Sequence, residues 1–304
     1  MISVTNLHKH FQTFHALKGI NLQVKQGEIY GFIGQNGSGK TTTMNILAGL
    51  SRPTGGKCIV AGIDVKKIKH PSDLPIGYLP EEPKFYPWMT ALETLEYLGN
   101  SKNKKADPEW IKELLGWVGL FDAAHRRVGG FSRGMRQRLG IAAALLHQPR
   151  LLILDEPSSA LDPEGRAEVL RLILELKEMG KTVIFSTHIL NDVERVCDTV
   201  GIIAGGKMLL EKPLKAIQKD NLAPIFDVIS PKPWPAEVKQ KLLQLPGVKR
   251  VEIRGVTAAI TVEDAKTASI RLMHFLSKEE LAISKFRQRK HTLEDIFLQE
   301  VKAT

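Results

Sequence analysis

No stretch of the 304-residue sequence approaches the ~18 consecutive apolar residues of a membrane span. The start, Met1 to Phe11, lacks the apolar run of a signal peptide, so the chain is expected to stay in the cytoplasm. Cysteine is scarce: Cys58 and Cys197 lie far apart without metal-ligand spacing, which points to two reduced, partly buried thiols in a reducing compartment. Internal repeats and low-complexity segments are absent. Acids are outnumbered, 33 Asp and Glu against 43 Lys and Arg, and the resulting net charge of +10 favours an anionic partner: nucleic acid, an anionic membrane surface or a phosphate-bearing ligand. Hydrophobic residues at 43% are enough to bury a sizeable core.

Residues 1–215 alternate strand-like and helix-like segments, an α/β pattern. VTNL, INLQV and EIYGFI read as strands and TTTMNILAGL as a helix. LLILD and TVIFST are short apolar strands of the kind covered on both faces of a parallel sheet. A mostly helical stretch, about 90–148, opens on a capping box, Thr90 to Glu93. After a composition break near 212–223, residues 222–304 read as a small α+β domain in the order β-α-β-β-α-β. A last helix follows at LEDIFLQEV, and the arrangement is ferredoxin-like.

Gly34, Gln35, Asn36, Gly37, Ser38, Gly39, Lys40 and Thr41 fill G-x-x-x-x-G-K-[ST] completely, followed by Thr42. The loop follows a strand and opens a helix, the context that makes it a phosphate loop. Its glycines let backbone N–H groups curl round an anion at a helix N-terminus. Lys40 can reach the β- and γ-phosphates of such an anion, and the Thr41 hydroxyl can ligate Mg²⁺. LLILD ends in two acids, Asp155 and Glu156, which a buried strand carries cheaply only at its end and with partners. Asp155 suits a Mg²⁺-holding carboxylate and Glu156 a base for the water that attacks the γ-phosphate. Asp162 before Pro163 is also a plain helix N-cap. His188 closes TVIFST beside the expected phosphates and is read as a γ-phosphate contact.

Together these motifs resemble the nucleotide-binding domain of ATP-binding-cassette (ABC) proteins, over about 1–215. The basic stretch GFSRGMRQRLG, Gly130 to Gly140, occupies that family's signature position. The resemblance implies a P-loop ABC ATPase core with a helical subdomain, ATP and Mg²⁺ as ligands, and roles carried over by position. Phe11 would stack on adenine. Glu81 would stand at the glutamine-loop position, near the metal and the γ-phosphate. Ser132 and Gly134 would meet the γ-phosphate of a second subunit, Asp162 would be the inter-subunit loop acid and His188 the switch histidine. Three departures stand out: Arg133 and Met135 replace a glycine and a glutamine, and Glu81 replaces a glutamine.

FSRGMRQRL, LPEEP and the ending from His291 to Leu298 resemble ATPase subunits of bacterial and archaeal ABC-2-type exporters. That implies a homodimer or a pair with a homologous subunit, and a separate membrane permease that holds the chain at the inner face of the membrane. The loop from Lys84 to Trp88 either docks this permease or packs on the helical lobe. An alternative is a soluble ABC ATPase acting on nucleic acid or the ribosome, for which Lys285, Arg287 and Arg289 on one strand face are the sharpest feature. The dispersed remaining charge makes nucleic acid the weaker reading.

Overall fold

In the computed structural model, which describes residues 1–101, 104–220, 222–290, 293, 294 and 297, the unbroken apolar runs form the centre of a sheet. Ile29–Ile33, Leu151–Leu154 and Thr182–Thr187 are buried at every position. Thr182–Thr187 lies between the other two and runs parallel to both. Ile76–Leu79 and Thr199–Ala204 extend the parallel set on either side, and Lys207–Pro213 closes one edge as an antiparallel hairpin strand. A second, antiparallel sheet has the order Phe14–Val24, Ile2–Phe11, Gly55–Val60, Ile63–Asp64. Between the sheets lies one apolar cluster that includes Leu7, Leu17, Phe32 and Ile184. The helix Lys40–Leu47 contributes Met44, Ile46 and Leu47 to it, which anchors the loop that precedes the helix.

The segment 90–148 contains the helices Ala91–Gly99, Pro108–Trp117 and Arg133–Leu145. Both halves of the expected capping box form: the Glu93 amide donates to Thr90 Oγ1 (3.2 Å) and the Thr90 amide to Glu93 Oε2 (2.8 Å). Glycine sets how closely Arg133–Leu145 approaches the strand Ile76–Leu79. A Cβ on Gly77 would lie 2.2 Å from the Ala144 carbonyl oxygen, and one on Gly140 2.4 Å from Leu79 Cδ1. The strands Gly55–Val60 and Ile76–Leu79 and the hairpin 199–213 are not singled out by the sequence patterns. The first begins on two glycines and the second is only four residues long.

The chain divides after Leu214 into two compact units. In the second, Leu222–Ile229, Ala236–Leu243, Val248–Arg254, Thr257–Val262, Ala265–Lys278 and Lys285–Lys290 follow one another as β-α-β-β-α-β. The antiparallel sheet order is Val248–Arg254, Thr257–Val262, Leu222–Ile229, Lys285–Lys290, which is the ferredoxin-like arrangement. Phe226, Trp234, Ile260 and Leu272 are in its own core. The helix expected at LEDIFLQEV lies largely outside the described residues.

The basic stripe on Lys285–Lys290 is not a free cationic face. Arg289 Nε donates to Asp227 Oδ1 at 3.2 Å, and Arg287 reaches Oδ2 of the same carboxylate at 3.5 Å. Asp227 is buried on the neighbouring strand, so two of the three cations neutralise an internal acid. The two cysteines are free and buried, and burial pushes the Cys58 thiol up to about 12.

Candidate active site

The loop before Lys40–Leu47 is built by glycines at two kinds of position. Gly34 has no room for a side chain: a Cβ there would meet Ser38 Oγ at 2.4 Å and the Ile203 carbonyl oxygen at 2.5 Å. Gly37 and Gly39 adopt positive φ, 78° and 110°, which L side chains rarely reach. The chain thus wraps tightly and delivers Lys40 to the first position of the helix, where backbone N–H groups and the positive dipole end face outward. Lys40 is buried, and its ammonium is surrounded by acceptors. It donates to the carbonyls of Gly34 (2.8 Å) and Gln35 (3.2 Å), and Glu156 Oε1 lies 3.2 Å away. Ser38 Oγ is buried and has no hydrogen-bond partner among the described residues. A buried hydroxyl without a partner is costly, and this one suits a ligand that brings an acceptor.

The strand Leu151–Leu154 ends at two acids with different surroundings. Asp155 accepts a 2.5 Å hydrogen bond from Ser186 Oγ on the adjacent strand. Burial raises its proton affinity above the usual carboxylate range. The Ser186 and Thr41 hydroxyls and the Lys40 charge act against burial, while Glu156 adds to it. Glu156 has a left-handed backbone, φ 48°, a conformation costing about 1–2 kcal/mol for a non-glycine residue. Its amide is held by Ser186 Oγ (2.9 Å). Its carboxylate is shared: one oxygen faces Lys40 and the other lies 2.9 Å from His188 Nδ1. His188, just beyond Thr182–Thr187, is about half exposed, whereas Glu156 and Lys40 are almost fully enclosed.

A cleft of about 410 Å³ lies over this centre, walled by Asn36, Gly37, Gly39, Lys40, Thr41 and Thr42 on one side and by Glu81, Glu156 and His188 on the other. Asp155 lies buried beneath it, within hydrogen-bonding reach of Thr41. Three further lining residues, Phe14, Ala16 and Ser159, were not foreseen from the sequence. The aromatic residue on this lining is Phe14. Phe11 lies outside the lining, with Lys9 Nζ 4.7 Å above its ring. Its cross-strand partner Phe14 takes the place on the cleft, because the tight turn at Gln12 and Thr13 sends the returning strand along the cleft edge. The only sequence signal for this was a second aromatic three residues after the first.

Ser132, Gly134 and Asp162 do not join the cleft of their own chain. Ser132 caps Arg133–Leu145, with its Oγ accepting from the Met135 amide (3.2 Å), and a Cβ on Gly134 would meet only Ser132 Oγ, at 3.9 Å. Asp162 caps Pro163–Glu178 through the Gly165 amide (3.3 Å). Arg133 lines a second cleft, about 390 Å³, with Glu82, Lys84, Phe85 and Gln137. Glu81 walls both clefts.

The chain is 39% identical, over its full length and that of its relative, to the ABC transporter ATP-binding protein YxlF of Bacillus subtilis. It belongs to the ABC transporter family. Residues 17–159 match the ABC transporter domain, and residues 213–301 match the C-terminal domain of DrrA1-3-like ATP-binding proteins. The bacitracin transport ATP-binding protein BcrA of Bacillus licheniformis is 45% identical over 73% of this chain and 72% of its own. A dimeric ATP-binding cassette solved in a post-hydrolysis state with ADP and phosphate superposes with a TM-score of 0.63 at 28% identity, over 70% of this chain and 99% of that one. This ABC subunit is therefore an ATPase that binds ATP. Among the described residues, no helix is long and apolar enough to cross a membrane.

Proposed function

We propose that this ABC subunit is the motor of an ABC-2-type exporter, acting at the cytoplasmic face of the membrane on a separate permease, as a homodimer or paired with a homologous subunit. The C-terminal DrrA1-3-like domain supports the class, as do relatives described as a bacitracin transport protein and a linearmycin resistance protein. The observation that carries the chemistry is the Glu156 carboxylate, held between Lys40 and His188.

Lys40 has three donors, which two loop carbonyls and Glu156 can occupy. A γ-phosphate oxygen entering the loop competes for Lys40 and releases one Glu156 oxygen. That oxygen then orients a water and takes its proton, while His188 keeps the other oxygen in place. Thr41 and Asp155 are the residues that would hold Mg²⁺, which would supply positive charge to offset that developing on the phosphates. The partnerless Ser38 hydroxyl and the Asp155–Ser186–Thr41 arrangement fit such a liganded state. Phe14 stacks on the base. Because Ser132, Gly134 and Asp162 lie off the cleft, they serve the partner subunit's nucleotide, with Ser132 and the N–H groups of its helix facing the γ-phosphate.

Glu81 connects this event to the permease. It borders the nucleotide cleft and the second cleft, and beyond it Tyr86 and Trp88 are exposed, with ring centroids 5.0 Å apart and Tyr97 edge-on at 5.8 Å. This aromatic patch offers the permease an anchoring surface.

The test is Glu156→Gln. Phosphate release should fall about 10²-fold or more, with ATP binding retained. Light scattering should find an ATP-dependent dimer in this variant. Wild-type turnover in the variant would remove Glu156 as the base, and a monomer at saturating ATP would remove the shared-site reading.

A further inference from the structure

Three histidines that the ATPase chemistry does not use converge on the hairpin formed by Ile2–Phe11 and Phe14–Val24. His8 and His10 lie two apart on the first strand, and His15 is the direct cross-strand partner of His10. Each offers a ring nitrogen, and these nitrogens all lie within 4.8 Å of one another. His8 Nδ1 and His15 Nε2 are 3.2 Å apart. Two nitrogens bound to one tetrahedral zinc stand about 3.3–3.4 Å apart, from a Zn–N length of about 2.0–2.1 Å. The His10 ring stacks on His15 with centroids 3.8 Å apart, and its ring nitrogen lies within 4.8 Å of those of the other two, so only a side-chain adjustment separates it from a common ion.

The outer contacts are also those of a ligand set. His8 Nε2 lies 3.0 Å from Asn6 Oδ1. An amide oxygen only accepts, so Nε2 carries the proton and Nδ1 keeps its lone pair directed at His15. A ligating imidazole whose second nitrogen donates to an oxygen is the usual support of a zinc site. Space for this pair exists because residue 19 is glycine: a Cβ there would lie 2.7 Å from Asn6 Oδ1 and 3.2 Å from His8 Nε2.

We propose that His8, His10 and His15 form a binding site for a borderline divalent cation of the Zn²⁺ type, on the hairpin that walls the nucleotide cleft. His15 lies between Phe14 and Ala16, both of which line that cleft, so the bound ion fixes the strand against which the base rests.

The test uses the full-length, untagged chain titrated with Zn²⁺ in the absence of nucleotide, followed by calorimetry and by hydrogen exchange. One ion per chain is expected, with slower amide exchange across residues 8–18. His15→Asn and His10→Ala should each weaken binding at least about tenfold, the scale on which zinc sites respond even to loss of a supporting contact. His274→Ala should bind as wild type does. His10→Ala removes only an exposed, stacked ring, so it separates lost ligation from lost folding if His15→Asn melts early. No Zn²⁺ binding, or equal affinity in wild type and His10→Ala, overturns the site.

Discussion

At the residue scale, Asp155 is held in a setting that opposes its charge. Its folded-state proton affinity is raised, chiefly by burial, so the folded protein takes up a proton there more readily than the unfolded chain does. Stability from this group is therefore fully present below the ordinary carboxylate pKa and is lost as pH rises through the raised one. Asp155→Asn should raise the melting temperature at neutral pH and raise it less near pH 4, while phosphate release falls sharply. An equal shift at both pH values would mean that the carboxylate is not disfavoured. The aromatic wall gives a second test. Phe14→Ala should weaken nucleotide binding by roughly 1 kcal/mol, the scale of one ring contact, and Phe11→Ala should have a smaller effect. The reverse order, measured with a fluorescent nucleotide, would restore Phe11 to the role expected from sequence.

Elements are coupled to one another by close backbone approach and by one buried acid. Gly77 lets Arg133–Leu145 lie against Ile76–Leu79, with the Ala144 carbonyl where a Cβ would be. Gly77→Val should cost about 1–3 kcal/mol by overpacking, read from urea unfolding. Wild-type stability would mean that the helix shifts freely. Asp192, fully buried in Leu190–Val196, accepts from Ser158 Oγ (2.6 Å) and Arg166 Nε (2.6 Å). It ties the helix after His188 to the loop after Glu156 and to the helix capped by Asp162. Asp192→Ala leaves Arg166 without its carboxylate and should destabilise by about 3 kcal/mol. It should also slow turnover without touching nucleotide, since both Glu156 and His188 lose a support. Unchanged kcat in a folded variant would confine Asp192 to stability.

On the scale of the whole molecule, the ATPase unit and the ferredoxin-like unit have separate cores, and only the first bears the nucleotide cleft. Ser132, Gly134 and Asp162 do not line the cleft of their own chain, which fits the proposed sharing of sites between two subunits. The +10 net charge suits a chain that binds nucleotide phosphates and, in the proposed role, would work beside anionic headgroups. Arg287 and Arg289, though still exposed, are paired with Asp227, so part of the charge that most favoured nucleic acid is balanced within the second unit.

Sequence by itself determined the chemistry that depends on neighbours along the chain. A phosphate loop, two acids at a strand end and a capped helix are local patterns, and backbone geometry turns fixed spacing into fixed placement. It also determined the buried parallel strands and the β-α-β-β-α-β order, because burial on both faces and period-2 or helical repetition are written in the residue types. Tertiary structure decided what depends on register between distant strands. It placed Phe14 rather than Phe11 on the cleft, drew Lys40 and His188 onto one carboxylate and set Glu81 between two clefts. It also closed three histidines into a cluster and laid two arginines over Asp227. None of these follows from spacing, because strand pairing and helix approach are fixed by the core as a whole, and a shift of one residue would send each side chain elsewhere.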